Sequence, residues 1–430
     1  MVQQRAIVVG AGIGGLAAAG ALRRVGWAVQ VLEQAERLGP VGAGLTLWPT
    51  AVLALDALGV GPAVRELAHP LDRSGIRTAG GRWLSSTDTS RYPARFGAPL
   101  VAVHRADLHQ VLLDAAGPEL VRTGAPVTGL DQDKDGVRVT WESGEASTNL
   151  LVAADGLAST LRGAVAGGAA RPVFTGRTAW RAVLDTAGGG EAEEAIESWG
   201  RGQRFGIVPL ARGRVYWFAT ADAPEHQRAP TGEQAELLAR FPGWHPPIPE
   251  LIAATPPDAI LRHDLYELRP GLPTYVRGRV VLLGDAAHAM TPDLGQGAGQ
   301  ALEDAVVLGA ALAATGEVAA ALARYDAERR PRTQAVARLS RRTGRLAQAS
   351  GPLTSRLRDL AVRATPAGVN DRLLAPLLGW RPPTNAAQAI GTESVVVCDP
   401  SSRAGTLPAR RWEGPEPTLP VRTEGGTAHE

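Results

Sequence analysis

Gly10, Gly12 and Gly15 stand in the spacing GxGxxG, with Gly14 beside them, directly after the apolar run RAIVV. The first glycine permits a tight turn, the second lets backbone approach a pyrophosphate, and the third lets helix and strand pack closely. A pyrophosphate then sits on a helix N-terminus, where free N–H groups and the dipole favour an anion. Glu33, roughly 20 residues further on, is placed to take ribose hydroxyls. The spacing alone is a weak signal, since a purely structural glycine turn also produces it. With strand, helix and acidic residue all in order, it reads as a dinucleotide site, without separating FAD from NAD. Two later segments have related chemistry: Asp155-Gly156 in LVAADGLASTLR, and Gly284-Asp285 in LLGDAAHAMTPDLGQGAGQALED. Each puts a carboxylate and a turn glycine at the end of an apolar run. There a carboxylate can hold polyol hydroxyls while backbone N–H groups face a ring or phosphate.

These residues need a parallel sheet to hold them. Residues 5–9 read as a buried strand, 14–25 as a helix and 27–33 as a second strand, a βαβ unit within about 30 residues. Residues 108–115 read as helix, and 120–123, 137–141 and 149–154 as strands. From 175 to about 265 the alternation of runs such as RVYWFAT suits an antiparallel sheet with one covered face. Residues 279–283 return to the parallel pattern, and one long helical region is expected over 299–347. The expected class is α/β: an interrupted Rossmann-type domain (1–71, 100–172, 266–345) with an inserted antiparallel domain (72–99, 173–265). A C-terminal helical segment (346–393) and a flexible Pro/Gly-rich tail (394–430) follow.

Composition narrows the partners. The chain has 430 residues, is 44% hydrophobic and carries a net charge of +2, enough apolar content for one large core or two joined ones. Lys134 is the only lysine, so arginine carries the positive charge, a pattern attributed to coding bias. Cys398 is the only cysteine, which leaves no intramolecular disulfide and no thiolate metal cluster. The start shows no leader, and no stretch approaches the ~18 apolar residues of a membrane helix. The expectations are a cytoplasmic protein, monomer or homodimer, with no metal, membrane or nucleic-acid partner.

With GAGIGG and Glu33, the Asp155-Gly156 motif and the Gly284-Asp285 motif in this order, residues 4–345 resemble the group A flavin monooxygenases, the para-hydroxybenzoate hydroxylase-like family. The stretches GAGLTLWPTAVLALDALG, HRADLHQVL and RTAWRAV are most similar to the salicylate and urate hydroxylase branch. The resemblance implies FAD across the sheet, with Glu33 on the adenosine ribose, Arg105 near the ribityl phosphate and Asp285 on the ribityl chain. It implies that Asp155 lies in a segment serving both FAD and NAD(P)H. Pro292 and the loop of Gly295, Gly297 and Ala298 would lie beside the isoalloxazine ring. It also implies NADH or NADPH and O2 as co-substrates, with one oxygen atom passing from a flavin C4a-hydroperoxide to a small aromatic, polycyclic or heterocyclic substrate by hydroxylation or epoxidation. Such chemistry needs a dry pocket, and the tryptophans of the middle region (Trp180, Trp199, Trp217, Trp244) are expected to supply its apolar lid. A single dinucleotide fingerprint argues against two-Rossmann flavoproteins, and the lack of WxWxIP against halogenases.

On the substrate side, Arg204 and Tyr216 flank a candidate hairpin and can both aim at the reactive face, Arg204 orienting an anionic or carbonyl group and Tyr216 hydrogen-bonding it. The bland alternative is a surface arginine and a core tyrosine. His288 follows Gly284-Asp285 and is read as structural, and His245 as a solvated loop residue. The arginine-rich helix 329–345 holds interspersed apolar residues and adjoins Asp326 and Glu328, so it is not read as a nucleic-acid stripe. No general base stands out. The rival functions are an FAD-linked reductase or dehydrogenase, and a non-redox flavoprotein that shields a reactive intermediate.

Overall fold

The first strand (Arg5–Val9) lies at the centre of a parallel sheet, between Ala28–Leu32 and Leu150–Ala153. Val280–Leu282 continues the sheet beyond Leu150–Ala153, and Val121–Arg122 closes the other side. Only the edge pair Val276–Arg277 runs antiparallel. Leu150–Ala153 and Val280–Leu282 are wholly buried, because both faces of the sheet are covered. That is why these strands read as unbroken apolar runs instead of alternating ones. The computed structural model describes residues 3–39, 43–185 and 194–384. Cys398 and the segment 394–430, expected to be a tail, lie outside the described residues. All described residues fall within one unit, Met1–Thr392.

The helix Ile13–Arg24 covers the sheet and is buried along most of its length, with alanine at positions 17, 18, 19 and 21. Those small side chains let the helix Gly297–Ala314 pack along it. A Cβ on Gly14 would lie 2.8 Å from Leu283 and 3.2 Å from Ala301. The single helical region expected over 299–347 is two helices, Gly297–Ala314 and Val318–Ala347. Thr315 takes extended backbone and its hydroxyl bonds both the N–H and the carbonyl of Glu317, so the chain turns there.

The second large sheet has seven strands in the order Leu261–Arg269, Arg171–Asp185, Arg214–Asp222, Gln203–Leu210, Ala195–Trp199, Arg73–Thr78 and Trp83–Asp88. The last two come from much earlier in the chain, and Arg73–Thr78 pairs with Ala195–Trp199 in parallel. Strand alternation gives this sheet two unlike faces. One buries Trp180, Trp217, Phe205 and Ile207 against Leu237 and Ile252 of two short helices and Phe241 at the end of the first. The other carries Arg181, Arg204, Tyr216 and Phe218 toward a cavity. The lid expected from the tryptophans is therefore overturned for the central pair. Trp180 and Trp217 alternate with cavity-facing neighbours and point to the far side, where Phe205 stacks on Trp217 at 5.3 Å and 19°.

Candidate active site

A cavity of about 670 Å³ lies between that polar sheet face and the carboxyl ends of the parallel strands. Ligands of open α/β sheets bind at such strand ends, where helices begin. Gly12, Gly14, Arg105, Gly156 and Asp285 line one part of the wall, and Pro292, Gly295, Gly297 and Ala298 another. Arg204 and Tyr216 stand on the sheet side of the same space.

The glycine turn is held from three sides. Gly10 has φ +101°, and a Cβ on it would meet the Ala154 carbonyl at 2.4 Å. A Cβ on Gly15 would fall 1.9 Å from the Gly10 carbonyl oxygen, so helix and strand approach only without one. Glu33 accepts the backbone N–H of Ala11 at 2.7 Å and of Ala35 at 2.9 Å, fixing the turn while lone pairs remain for hydroxyls. His109, from the helix Arg105–Ala116, bonds the Ala11 carbonyl at 2.7 Å. The helix Ile13–Arg24 starts with no side-chain cap, and so does Gly297–Ala314, leaving free N–H groups at both starts. Gly12 and Gly297 have nothing within 4 Å where a Cβ would stand.

The second and third motifs are stitched together by a residue the sequence reading passed over. Arg162 is buried, and its guanidinium donates to the carbonyls of Gly156, Leu157, Asp285 and Ala286 at 2.8–3.3 Å. Asp155 accepts the N–H groups of Thr160 and Leu161 through Oδ2, while its buried Oδ1 has no partner. Asp285 opens onto the cavity yet sits deep enough that desolvation raises its carboxyl pKa, against the pull of His288, Arg162 and Arg105. Behind it, Asp304 accepts the Gly284 N–H at 3.0 Å and pairs with His288 at 2.6 Å and Arg329 at 2.7 Å. Burial alone would raise the Asp304 carboxyl, but His288 and Arg329 outweigh it and hold it at about 2. His288 thus braces the Gly284 turn and is not on the cavity wall. Arg329 also reaches Glu303 at 2.7 Å, and Arg332 and Arg341 pair with Glu303 and Glu267. Much of the arginine-rich helix is neutralised internally.

Arg204 is 2% exposed and deeply tied in. It donates to Glu197 at 3.0 Å, to Gln348 at 3.0 Å, to Thr220 at 3.2 Å, and to Asp293. Asp293, in the turn after Pro292, also receives Arg177 through both oxygens at 3.1 and 3.2 Å. Burial would raise that carboxyl, but Arg204 and Arg177 keep it below the usual range. Strand register explains the grouping. Arg204 pairs with Thr220, Gly206 with Phe218 and Val208 with Tyr216, all on one face, and from the other side Ala179 pairs with Thr220 and Arg181 with Phe218 on that same face. Tyr216 is pushed up mainly by burial, against a hydrogen bond from Arg181. Its ring lies against Gly44, where a Cβ would stand 2.4 Å away.

Sequence reasoning missed Arg181, Glu197, His263 and Asp293 on this wall. Asp293 carried a local signal, a carboxylate between Pro292 and a glycine loop. The others depend on strand register. His263 opens onto the cavity beside Ala179. Desolvation first, then Arg181 and Arg228, lowers its pKa below 6.5, against Asp264. His245 is half-buried and bonds Ser198 at 2.7 Å, so it is tied in, not solvated as expected. Among the described residues no cluster of three or more His, Cys, Asp or Glu is arranged for a metal, and no helix is long and apolar enough to cross a membrane.

These features fit FAD: two uncapped helix starts, bare glycine edges, the spare lone pairs of Glu33, and the unpartnered Asp155 Oδ1 and Gln296 Nε2. The profile of the FAD binding domain family matches residues 3–340, and the chain belongs to that family, among its FAD-dependent monooxygenases. FAD is its cofactor. It is 43% identical to an aurachin C monooxygenase/isomerase of Stigmatella aurantiaca over 80% of this chain and 89% of that one. To an FAD-dependent urate hydroxylase of Klebsiella pneumoniae it is 38% identical over 76% and 85%. The structure of Klebsiella pneumoniae HpxO complexed with FAD and uric acid superposes with a TM-score of 0.82 at 33% identity, covering 87% of this chain and 96% of that one.

Proposed function

We propose that the protein uses NADH or NADPH and O2 to insert one oxygen atom into a small planar aromatic or heteroaromatic substrate bearing an acidic or carbonyl oxygen. The observation that carries the substrate class is the wall of hydrogen-bond donors that meets the flavin-facing loop: Arg204, clamped by Glu197 and Asp293, with Arg181, Tyr216 and His263 beside it. Relatives that act on urate, 6-hydroxynicotinate and 3-hydroxybenzoate, all hydroxylated or oxo-substituted rings, support that reading. Bound FAD supplies the redox chemistry that takes reducing equivalents from nicotinamide and delivers oxygen.

The chain's own residues do the rest. Gly12, Gly14 and the start of Ile13–Arg24 hold the pyrophosphate, Gly10 and Gly15 permitting the turn. Glu33 holds the adenosine ribose, Arg105 and Asp285 the ribityl phosphate and chain, and Asp155 supports the turn beside them. Pro292, Gly295, Gly297 and Ala298, which line the cavity, would offer their backbone to the ring. Arg204 keeps two guanidinium N–H donors in excess of those its partners use, available to a substrate oxygen. Tyr216 hydrogen-bonds the substrate. His263, neutral at pH 7 by virtue of its lowered pKa, accepts the substrate's acidic proton.

The test is NADH and NADPH oxidation by the purified yellow protein across phenols, indoles, quinolones, purines and polycyclic ketones, with oxygen uptake and peroxide recorded together. Oxidation stimulated at least tenfold, with little peroxide, identifies the substrate class. No stimulation by any ring of these classes overturns the proposed substrate class.

A further inference from the structure

Eight large apolar side chains stand exposed among the described residues, and six of them lie between positions 339 and 369. The helix Pro352–Ala364 is amphipathic the wrong way round. Leu353, Leu357 and Leu360, at i, i+4 and i+7 on one face, are 68%, 55% and 64% exposed. The opposite face is polar and buried: Ser355, and Arg358, which donates to the carbonyls of Gly200 at 3.0 Å and Ala347 at 2.8 Å. Arg358 also lies 5.3 Å from the Trp199 ring. The helix is pinned by its polar side, so its leucines are held outward. Leu339 and Leu346, in the last turns of Val318–Ala347, are exposed as well.

The charge on this segment is one-sided. Residues 338–364 contain seven arginines and one carboxylate, Asp359, in a chain whose net charge is only +2. Arg338, Arg342, Arg345, Arg356 and Arg363 are exposed, and none has an ion-pair partner among the described residues. Outward leucines flanked by outward arginines match an interfacial helix, with apolar side chains at the boundary of headgroups and acyl chains and cations on phosphates. A second copy would set arginine against arginine across a two-fold contact. A nucleic acid would leave the leucines in water. We propose that Pro352–Ala364, with the last turns of Val318–Ala347, docks the protein on an anionic lipid bilayer. Through Arg358 the docked face shares an anchor with the turn between the strands bearing Glu197 and Arg204.

The test is co-sedimentation of the full-length holoenzyme with phosphatidylglycerol/phosphatidylcholine vesicles and with pure phosphatidylcholine vesicles, alongside light scattering in free solution. The bound fraction should rise at least tenfold with phosphatidylglycerol and fall with salt. The triple variant Leu353→Glu, Leu357→Glu, Leu360→Glu should lose that binding while NAD(P)H oxidation in free solution and melting temperature stay unchanged. The pair Arg356→Gln, Arg363→Gln should weaken it without touching the apolar face. Equal binding to both vesicle types, or none, overturns the proposal. So does a leucine variant that halves the solution mass and leaves sedimentation unchanged, which would make a second copy the occupant.

Discussion

Arg204 of the cavity-facing sheet and Asp293 of the turn that leads into Gly295 form a buried ion pair, which Arg177 completes from two strands away in the same sheet. The pair joins the wall proposed to hold substrate to the loop proposed to lie against the flavin. Gly344 of the helix Val318–Ala347 backs it, since a Cβ there would stand 2.0 Å from Asp293 Oδ2. Truncating one partner leaves the other charged and buried, which is costly.

Arg204→Gln and Asp293→Asn should therefore behave alike. Each should lower product formed per NAD(P)H consumed, with kcat/KM falling about 10–100-fold, about 1.4–3 kcal/mol of transition-state stabilisation. The double variant should be scarcely worse than either single one, because both act on one contact. Product and peroxide measured together check this; fully coupled turnover in either single variant sinks the assignment.

His263 gives a pH signature. Its pKa is lowered, so the neutral, proton-accepting form persists below pH 6.5 and is lost only as pH falls further. With a phenolic or N–H-acidic substrate, kcat/KM should stay level down through pH 6.5 and drop below it. His263→Gln should remove that acid limb and lower the plateau by about 10²–10⁴-fold. A limb that survives the substitution assigns the proton to another group.

Gly12→Ala and Gly15→Ala separate cofactor binding from folding. The Gly12 side is open, so its variant should fold with an unchanged apoprotein melting temperature and fail to retain FAD, read from the 450 nm band. A methyl on Gly15 collides with the Gly10 carbonyl, so its variant should melt lower even as apoprotein, read by circular dichroism. Equal melting losses in both would count against the open edge at Gly12.

Trp217→Ala should cost about 3–5 kcal/mol, since it empties a large volume behind the sheet and removes the indole N–H that the Thr255 hydroxyl accepts at 2.9 Å, leaving that hydroxyl only its bond to the Leu251 carbonyl. Denaturant unfolding measures the loss. Because Trp217 points away from the cavity, the KM for substrate should change less than twofold under conditions where the variant stays folded. A large rise in KM would restore the tryptophans to the active site.

Much of the nucleotide-facing frame was legible because its signals are local. A glycine that must lack a Cβ, as at Gly10 and Gly15, and an acidic residue a fixed distance beyond it are visible in one window of sequence. The apolar runs at 5–9 and 149–154 are unbroken because both sheet faces are covered. The substrate wall was legible only in part. Arg204 and Tyr216 fall on one face because their strands pair in a hairpin, which short-range alternation suggests. That Trp217 faces away while Tyr216 and Phe218 face in depends on which side the helices cover, and no local pattern states it. Asp293 and Glu197 meet Arg204 from distant segments, and Arg162 joins two motifs whose nearness only the folded sheet reveals. The break at Thr315 was hidden because both flanking segments are strongly helical.

The close seating of Gly297–Ala314 on Ile13–Arg24 has a consequence for how the chain is made. The helix Ile13–Arg24 leaves the ribosome well before Gly297–Ala314, which seats on its alanines at positions 17–19 and 21 and on the bare edge of Gly14. Until the segment 285–314 has emerged, that face lacks this cover, and neither Asp285 nor the Gly295 loop is present to complete the cavity wall. FAD capture thus waits on the synthesis of these segments, and premature termination before residue 297 yields a product with a sticky, greasy flank that cellular quality control would recognise.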